Sequence, residues 1–595
     1  MTAIPVWFGP PERLLFGWFH SPAGDRARGG IVICPPLGRD YLRSHYAQRR
    51  TAIRLEERGF CCLRFDYDGT GDSVGDSGDP DRVASWLASA SEAVGLLRSA
   101  GLSWVGMVGM RSGALIASVA AERDGSMDAL VLVDPTLSGR GFVSEQRALA
   151  AMALGVQVTR EDGSIETPGV VYDAQTVNDL KTLRIGKEGQ LPAKKVLVMT
   201  RKGTSVDSGL RSRLDGDAVE WADATGQENL VDAEAPHQVL PEDDIERIVS
   251  WTSTVAPTDT VAVVVPERAG AVQVAPGEAD GAAVIERPIA LGSLGLFGMV
   301  TEVPGRSAGP AMVFLNVATE PHIGPARLWV ELARKWAPGG LRSIRVDMSG
   351  LGESPSRPGE PEFVIRLPVA FDDVSEIAAA VSPDDPTNVV FVGLCSSAYQ
   401  ALDSALELHP RGVIALNPVL TFQPPEMLDG GPVYPRRRVA LPRGNVIQQF
   451  SGEGPLSVLR ERFPKLAWRV RTLMSFGKRP STWMKEMTGS GVNLMLICGD
   501  REARPIHQGA STRTIDKLTA SGMFRFEYIP GLDHGLLVEA HRDLISGIIT
   551  EHAMGRFALK AGASQPKASE HRASHEAPDS GVESASGVLR IEVDT

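Results

Sequence analysis

Cysteine is scarce in this chain: five residues in 595, at Cys34, Cys61, Cys62, Cys395 and Cys498. The number is odd and most of the five lie in apolar runs. That argues against a disulfide framework or a zinc site and fits a reducing compartment. Positive charge is also short, with a net charge of −12, which argues against a general nucleic-acid binder. No apolar run approaches membrane-spanning length. The first residues, MTAIPVWFGPPERLLFGW, lack a charged segment followed by an apolar one, so no signal peptide is read there. A cytoplasmic location is expected, with no transmembrane segment and no nucleic-acid partner. No metal-binding or cofactor motif is read, so the expected cofactor is none.

Hydrophobic residues make up 43% and charged residues 23%, as in ordinary globular proteins. The length exceeds one ordinary core, so two or more domains are expected. An internal repeat supplies them. Asp66-Tyr67-Asp68-Gly69-Thr70-Gly71-Asp72-Ser73 resembles Asp347-Met348-Ser349-Gly350-Leu351-Gly352-Glu353-Ser354, 281 residues later. Val108-Gly109-Met110-Arg111-Ser112-Gly113 resembles Val392-Gly393-Leu394-Cys395-Ser396-Ser397, 284 residues later, and His237 precedes His534 by 297. The order is kept while the offset drifts, as expected when loops change length between copies.

Continuous apolar runs such as Ile31–Cys34, Ala129–Val133, Lys195–Met199, Met312–Leu315, Gly412–Leu416 and Asn493–Ile497 suit strands buried on both faces of a parallel sheet. Helical patterns alternate with them, for example Arg82 to Arg98 and Ala326 to Trp336. Alternating βα units predict doubly wound sheets with sites at the carboxyl ends of the strands. The expected domains are residues 1–255 and 286–555, joined by an Ala/Val/Pro/Gly-rich linker at 256–285. A polar tail at 556–595 is expected to be disordered.

The turns at Arg111 and Cys395 follow apolar runs and precede helical patterns. That is the setting of the G-x-S-x-G nucleophile elbow, and through these motifs the chain resembles the α/β-hydrolase superfamily twice over. The Cys395 elbow resembles those of cysteine-bearing members, among them hydrolase-like proteins associated with bacterial exopolysaccharide export and dienelactone-hydrolase-type enzymes. The resemblance implies two tandem α/β-hydrolase-like domains, each with a cap insertion. It places Cys395 as nucleophile, His534 of the Gly531-Leu532-Asp533-His534 turn as base, and Glu502 as acid, with Asp500 the alternative acid. The oxyanion hole would use the N–H of Ser396 and a second N–H near Val317 or Ala318. A thiol has a reference pKa near 8.5, so a neighbouring His and a helix N-terminus are needed to hold it as thiolate. A carboxylate then fixes the tautomer of that His.

In the first copy Arg111 stands at the apex, where no nucleophile remains. The acid loop is degenerate too: Thr200-Arg201-Lys202-Gly203 replaces the acidic turn, and Asp134 or Asp207 is the nearest acid. Two readings stand for Arg111. Either it is salt-bridged to a nearby acid in a decayed site, or it forms an anion pocket with His237. Between Leu416 and Asn493 lies the expected cap of the second domain. It is rich in basic residues, including Arg436-Arg437-Arg438, Arg469, Arg471 and Lys485, with Trp468, Phe476 and Trp483 among them. Such a cap either presents a solvated or interface face or steers an anionic acyl donor such as a CoA or carrier-protein thioester. The sequence thus points to an acyl hydrolase or acyltransferase acting on an ester or thioester of a small or carrier-bound, anionic substrate. The rival is a non-catalytic binding or assembly protein.

Overall fold

The computed structural model describes residues 3–154, 160–186, 190–204, 207–232, 238–275, 283–307, 309–363, 367–420 and 480–558. The polar tail, His237 and most of the basic cap, including Arg436 to Arg438, Arg469, Arg471, Trp468 and Phe476, lie outside the described residues.

Each half is built on one large sheet. In the first half, β1 (Ile4–Phe8), β2 (Leu15–His20), β3 (Gly29–Cys34), β4 (Phe60–Phe65), β5 (Val105–Met110), β6 (Ala129–Val133), β7 (Lys195–Arg201) and β8 (Val219–Ala224) lie in the order β1-β2-β4-β3-β5-β6-β7-β8. The second half adds one strand, β9 (Val272–Ala275). It then repeats the plan with β10 (Val284–Leu291), β11 (Leu296–Glu302), β12 (Ala311–Phe314), β13 (Ser343–Val346), β14 (Val389–Leu394), β15 (Gly412–Leu416), β16 (Asn493–Cys498) and β17 (Phe524–Tyr528). Their order is β9-β10-β11-β13-β12-β14-β15-β16-β17. The strands at the β1 and β9 edges pair antiparallel, and from β4 and β13 onward all pairs are parallel. Both are mixed, predominantly parallel sheets.

The apolar runs form the strands because helices, among them α1 (Arg82–Ser99), cover both faces. Every residue of β3, β5 and β6 in the first half, and of β12, β14, β15 and β16 in the second, is buried. Burying such side chains contributes about 1.5–3 kcal/mol each. The stretch read as a linker carries two short strands. Val261–Ala262 pairs with Arg26–Ala27 of the first half, and β9 opens the second sheet. The helix expected from Ala326 begins instead at Leu328 and runs to Trp336 (α3), because Ala326 and Arg327 take positive φ of 50° and 66°. Arg327 turns aside to donate to the carbonyls of Gly71 and Ser73 in the other half.

The halves meet through the repeated Asp-x-x-Gly-x-Gly loops, and the contacts are exchanged crosswise. Arg64 of β4 forms a two-pronged pair with Glu353, both nitrogens at 2.8 Å. Arg345 of β13, which is 281 residues later, pairs with Asp72 and with Glu286. His322 bridges Asp72 at 2.6 Å and Asp347 at 2.8 Å. Tyr41, at the matching place in the first half, bonds Asp66 at 2.5 Å. Around this core Trp18 packs edge-on against Phe297 with ring centres 5.0 Å apart. Within each loop a Cβ on Gly71 or Gly352 would strike the carboxylate of Asp66 or Asp347 at 2.1–2.2 Å, and both glycines have positive φ. The motif is therefore a tight turn that wraps its first aspartate and aims its last acid at the opposite half.

Candidate active site

Both elbows are formed. After β5, Arg111 has φ 54° and ψ −124°. After β14, Cys395 has φ 59° and ψ −112°. Positive φ on a side-chain-bearing residue costs about 1–3 kcal/mol, and the helices α2 (Ser112–Asp124) and α4 (Ser396–Leu408) that follow hold it. The glycine two residues before each apex admits the close approach. A Cβ on Gly109 would lie 2.5 Å from the Gly113 carbonyl, and one on Gly393 would lie 2.5 Å from Ser397. Ser397 replaces the last elbow glycine, and its hydroxyl is absorbed locally by Leu394 N–H at 3.1 Å and Leu394 C=O at 3.0 Å.

In the second half, Glu502 sits near the start of α5 (Asp500–Gly509) and is buried. Its carboxylate meets His534 Nδ1 at 2.9 Å. The Cys395 thiol lies close to the same imidazole. That thiol is the largest cause, ahead of Glu502, of the rise in the pKa of His534 to about 10. Cys395 is half-buried, as a site open to substrate requires. Asp500, the alternative acid, points away: it is exposed and accepts from the Tyr528 hydroxyl at 2.5 Å and from Gly531 N–H at 2.9 Å. The geometry therefore brings together Cys395, His534 and Glu502, and leaves Asp500 as a brace for the preceding turn.

Of the oxyanion candidates, Ser396 begins α4, so its N–H lies among the unpaired first-turn donors of a helix. Ala318, at φ 51°, lies on the loop opposite, with buried Val317 beside it. The Ala318 N–H donates to Ser396 Oγ at 3.0 Å. In the first half Leu37 N–H donates to Ser112 Oγ at 2.8 Å. This bond ties the loop to the elbow in both copies.

Two supports were not foreseen from sequence. Asn417, just after β15, donates to the carbonyls of Asp533 and His534, both at 3.1 Å, and accepts from Gly499 N–H at 2.9 Å. It ties the base loop to the acid loop. Its position after the strand matches that of Asp134 in the first copy, which was the available signal. Asp533 accepts from Leu537 N–H at 2.6 Å and pairs with His541 at 2.8 Å.

In the first half Arg111 is enclosed by acids. It meets Asp134 at 3.2 Å, Asp40 at 3.4 Å, and Glu145. Arg201, in the degenerate acid loop, also holds Asp134 at 2.7 Å. The guanidinium is neutralised from within, which leaves no free positive charge for an outside anion. Burial pushes the Asp40 carboxyl up to about 6 despite Arg111 beside it. Asp207 is not part of this cluster: it caps the short helix Ser208–Arg213 by accepting from Leu210 N–H at 2.6 Å. Of the cap residues noted in the sequence, Trp483 is fully buried, while Lys485 lies on an exposed face of the helix Pro480–Gly489. Among the described residues no group of side chains is arranged to hold a metal ion, and no helix is long and apolar enough to cross a membrane.

With this geometry in view, residues 308–546 match the family model described as the alpha/beta hydrolase family. No curated protein matches the chain by sequence. Among solved structures it is similar to Est1E from Butyrivibrio proteoclasticus (14% identity, 42% of this chain, 98% of that chain, TM-score 0.32). It is also similar to the alpha/beta hydrolase GrgF from Penicillium sp. sh18 (16% identity, 43% of this chain, 98% of that chain, TM-score 0.31). A third is XC6422 from Xanthomonas campestris, described as an a/b serine hydrolase without lid (13% identity, 44% of this chain, 97% of that chain, TM-score 0.29).

Proposed function

We propose that the second half is an acyl hydrolase or acyltransferase working through Cys395, His534 and Glu502, and that the first half is a pseudo-hydrolase derived from the same unit. The observation that carries the reading is the buried Glu502 carboxylate bonded to His534 Nδ1 at 2.9 Å, with Cys395 near enough to raise the pKa of that imidazole. A raised pKa on His534 favours the imidazolium, the form that pairs with a thiolate. The Cys395 sulfur attacks the acyl carbonyl of an ester or thioester and a C–S bond forms. The tetrahedral oxyanion collapses, the bond to the leaving group breaks, and the leaving alkoxide or thiolate takes the proton of His534. Water or an acceptor hydroxyl then attacks the acyl-enzyme, gives its proton to His534 and releases the thiolate. Glu502 fixes the imidazole tautomer throughout.

One observation favours the second reading, a non-catalytic binding or assembly protein. The loop N–H expected in the oxyanion hole is already donated to Ser396 Oγ. Iodoacetamide alkylation and p-nitrophenyl acetate turnover separate the two. The catalytic reading expects Cys395 to react faster than free cysteine at pH 6–7, and expects turnover that is lost in Cys395→Ala, reduced in Glu502→Gln and kept in Asp500→Asn. Turnover that survives Cys395→Ala, or a thiol no faster than free cysteine, would remove the basis of the catalytic reading.

A further inference from the structure

The loop that carries His534 is held from three sides, and one of them belongs to the other half. Asn417 and Asp533 supply two. The third is a β-hairpin of the first half, Ile165–Thr167 with Val170–Tyr172. At its turn Gly169 donates its N–H to the Leu537 carbonyl at 2.9 Å. Beside the turn, Glu166 accepts from Glu539 N–H at 2.8 Å. Arg160 closes the group by donating to Glu166 at 2.8 Å and to Glu539 at 2.6 Å.

Glu539 is the first residue of the helix Glu539–Arg556 (α6), five residues after His534. Its N-cap is Val538, whose side chain makes no capping bond. Valine has no oxygen to offer the first helical N–H groups, a position where Ser, Thr, Asp or Asn ordinarily serves. The carboxylate of Glu166 takes that part from the first half, and its negative charge suits the positive end of the helix. Leu536, between His534 and α6, has φ 54°, so the segment is short and strained and its far end must be fixed. Gly169–Asp173 and Glu539 also line a cavity of about 420 Å³.

We infer that Glu166 is a positioning residue for His534: the first half caps α6 and so sets where the imidazole stands. This rests on the proposed reading only in taking His534 as the base. The test uses the full chain with Glu166→Ala and Glu166→Gln. The first readout is amide hydrogen exchange over residues 533–540, which needs no activity. It should rise at least tenfold in Glu166→Ala and stay near wild type in Glu166→Gln, which keeps an oxygen for Glu539 N–H. The second readout is turnover of p-nitrophenyl acetate. Here kcat should fall by about tenfold in Glu166→Ala with KM little changed, since a misplaced catalytic group loses rate rather than ground-state binding. Glu166→Gln should recover most of it. Unchanged exchange in Glu166→Ala overturns the inference, as does a loss shared equally by Glu166→Gln. If exchange rises as expected while wild type shows no turnover, the inference stands and the catalytic reading fails.

Discussion

Consider Glu353→Ala. The carboxylate is buried, with 2% of its side chain exposed, and so is its partner Arg64 at 5%. It takes both terminal nitrogens of Arg64 at 2.8 Å and His45 Nε2 at 3.0 Å. Burial alone would raise its pKa, but Arg64 and His45 reverse this and hold it well below the usual carboxylate range. Removing the acid leaves a buried guanidinium without its counter-charge, which costs about 3–5 kcal/mol. If Met1–Ala558 unfolds as one compact unit, the unfolding entropy of a chain that long turns this loss into roughly 3–4 °C of melting temperature. A larger number of degrees in a separate, earlier transition would mean that the halves part before they unfold. Calorimetry and urea titration of wild type, Glu353→Ala, and the double variant Arg64→Met with Glu353→Met read this directly. The double variant should recover part of the loss, because Arg64 is no longer stranded while Arg49 and His45 still lose Glu353. A Glu353→Ala loss below about 1 kcal/mol would refute the argument, since a pair so enclosed cannot be removed without exposing its cost.

Two further outcomes follow from the titrating and charged groups. For His322, burial would lower the pKa, but Asp347 and Asp72 push it up to about 10. A folded-state pKa above the unfolded value gives stability that is full below about pH 6.5 and is lost as pH rises toward 10. His322→Gln should flatten that alkaline decline in a pH series of urea midpoints; an unchanged slope would mean the bridge does not titrate as described. Arg111→Ser returns a hydroxyl to the first elbow, yet Arg201 still occupies the acid loop and holds Asp134. In a Cys395→Ala background it should show no ester turnover above buffer. It should also lose about 1–3 kcal/mol, because Asp40 stays partly buried without Arg111 while Asp134 keeps only Arg201.

Much of the fold was legible because it depends on local pattern. Apolar runs buried on both faces can only be central strands, and the drifting 281- and 284-residue offsets announced the second sheet. The elbow residues were legible for the same reason: a positive φ at Arg111 and Cys395 follows from a strand that must turn sharply into a helix. The choice between Glu502 and Asp500 was not legible. Two residues apart on the first turn of one helix, they face about 200° apart around its axis, and only the path of the His534 loop decides which one is met. The supports were also hidden. Asn417 acts through two carbonyls 116 and 117 residues away, and no spacing rule predicts that. Hidden most deeply was the purpose of the repeated glycine loops. The last acid of each motif differs, Asp72 in one and Glu353 in the other, and reads as surface until its partner arginine is seen to lie in the opposite half.

That crosswise exchange ties the two halves together whatever stands at the Arg111 apex. Each copy's loop ends in an acid whose arginine partner belongs to the other: Glu353 for Arg64, Asp72 for Arg345. Neither arginine is exposed, with side chains at 5% and 0%, and neither can be left unpaired cheaply. A mutation that removes the Arg111 apex acts on the acids of its own half. A mutation that loosens the junction would strand charges in both halves and withdraw the hairpin that caps α6. An apex without a nucleophile is therefore compatible with the fold, whereas stranding the junction arginines is costly. Any activity carried by Cys395 would be tied physically to the presence of the first half.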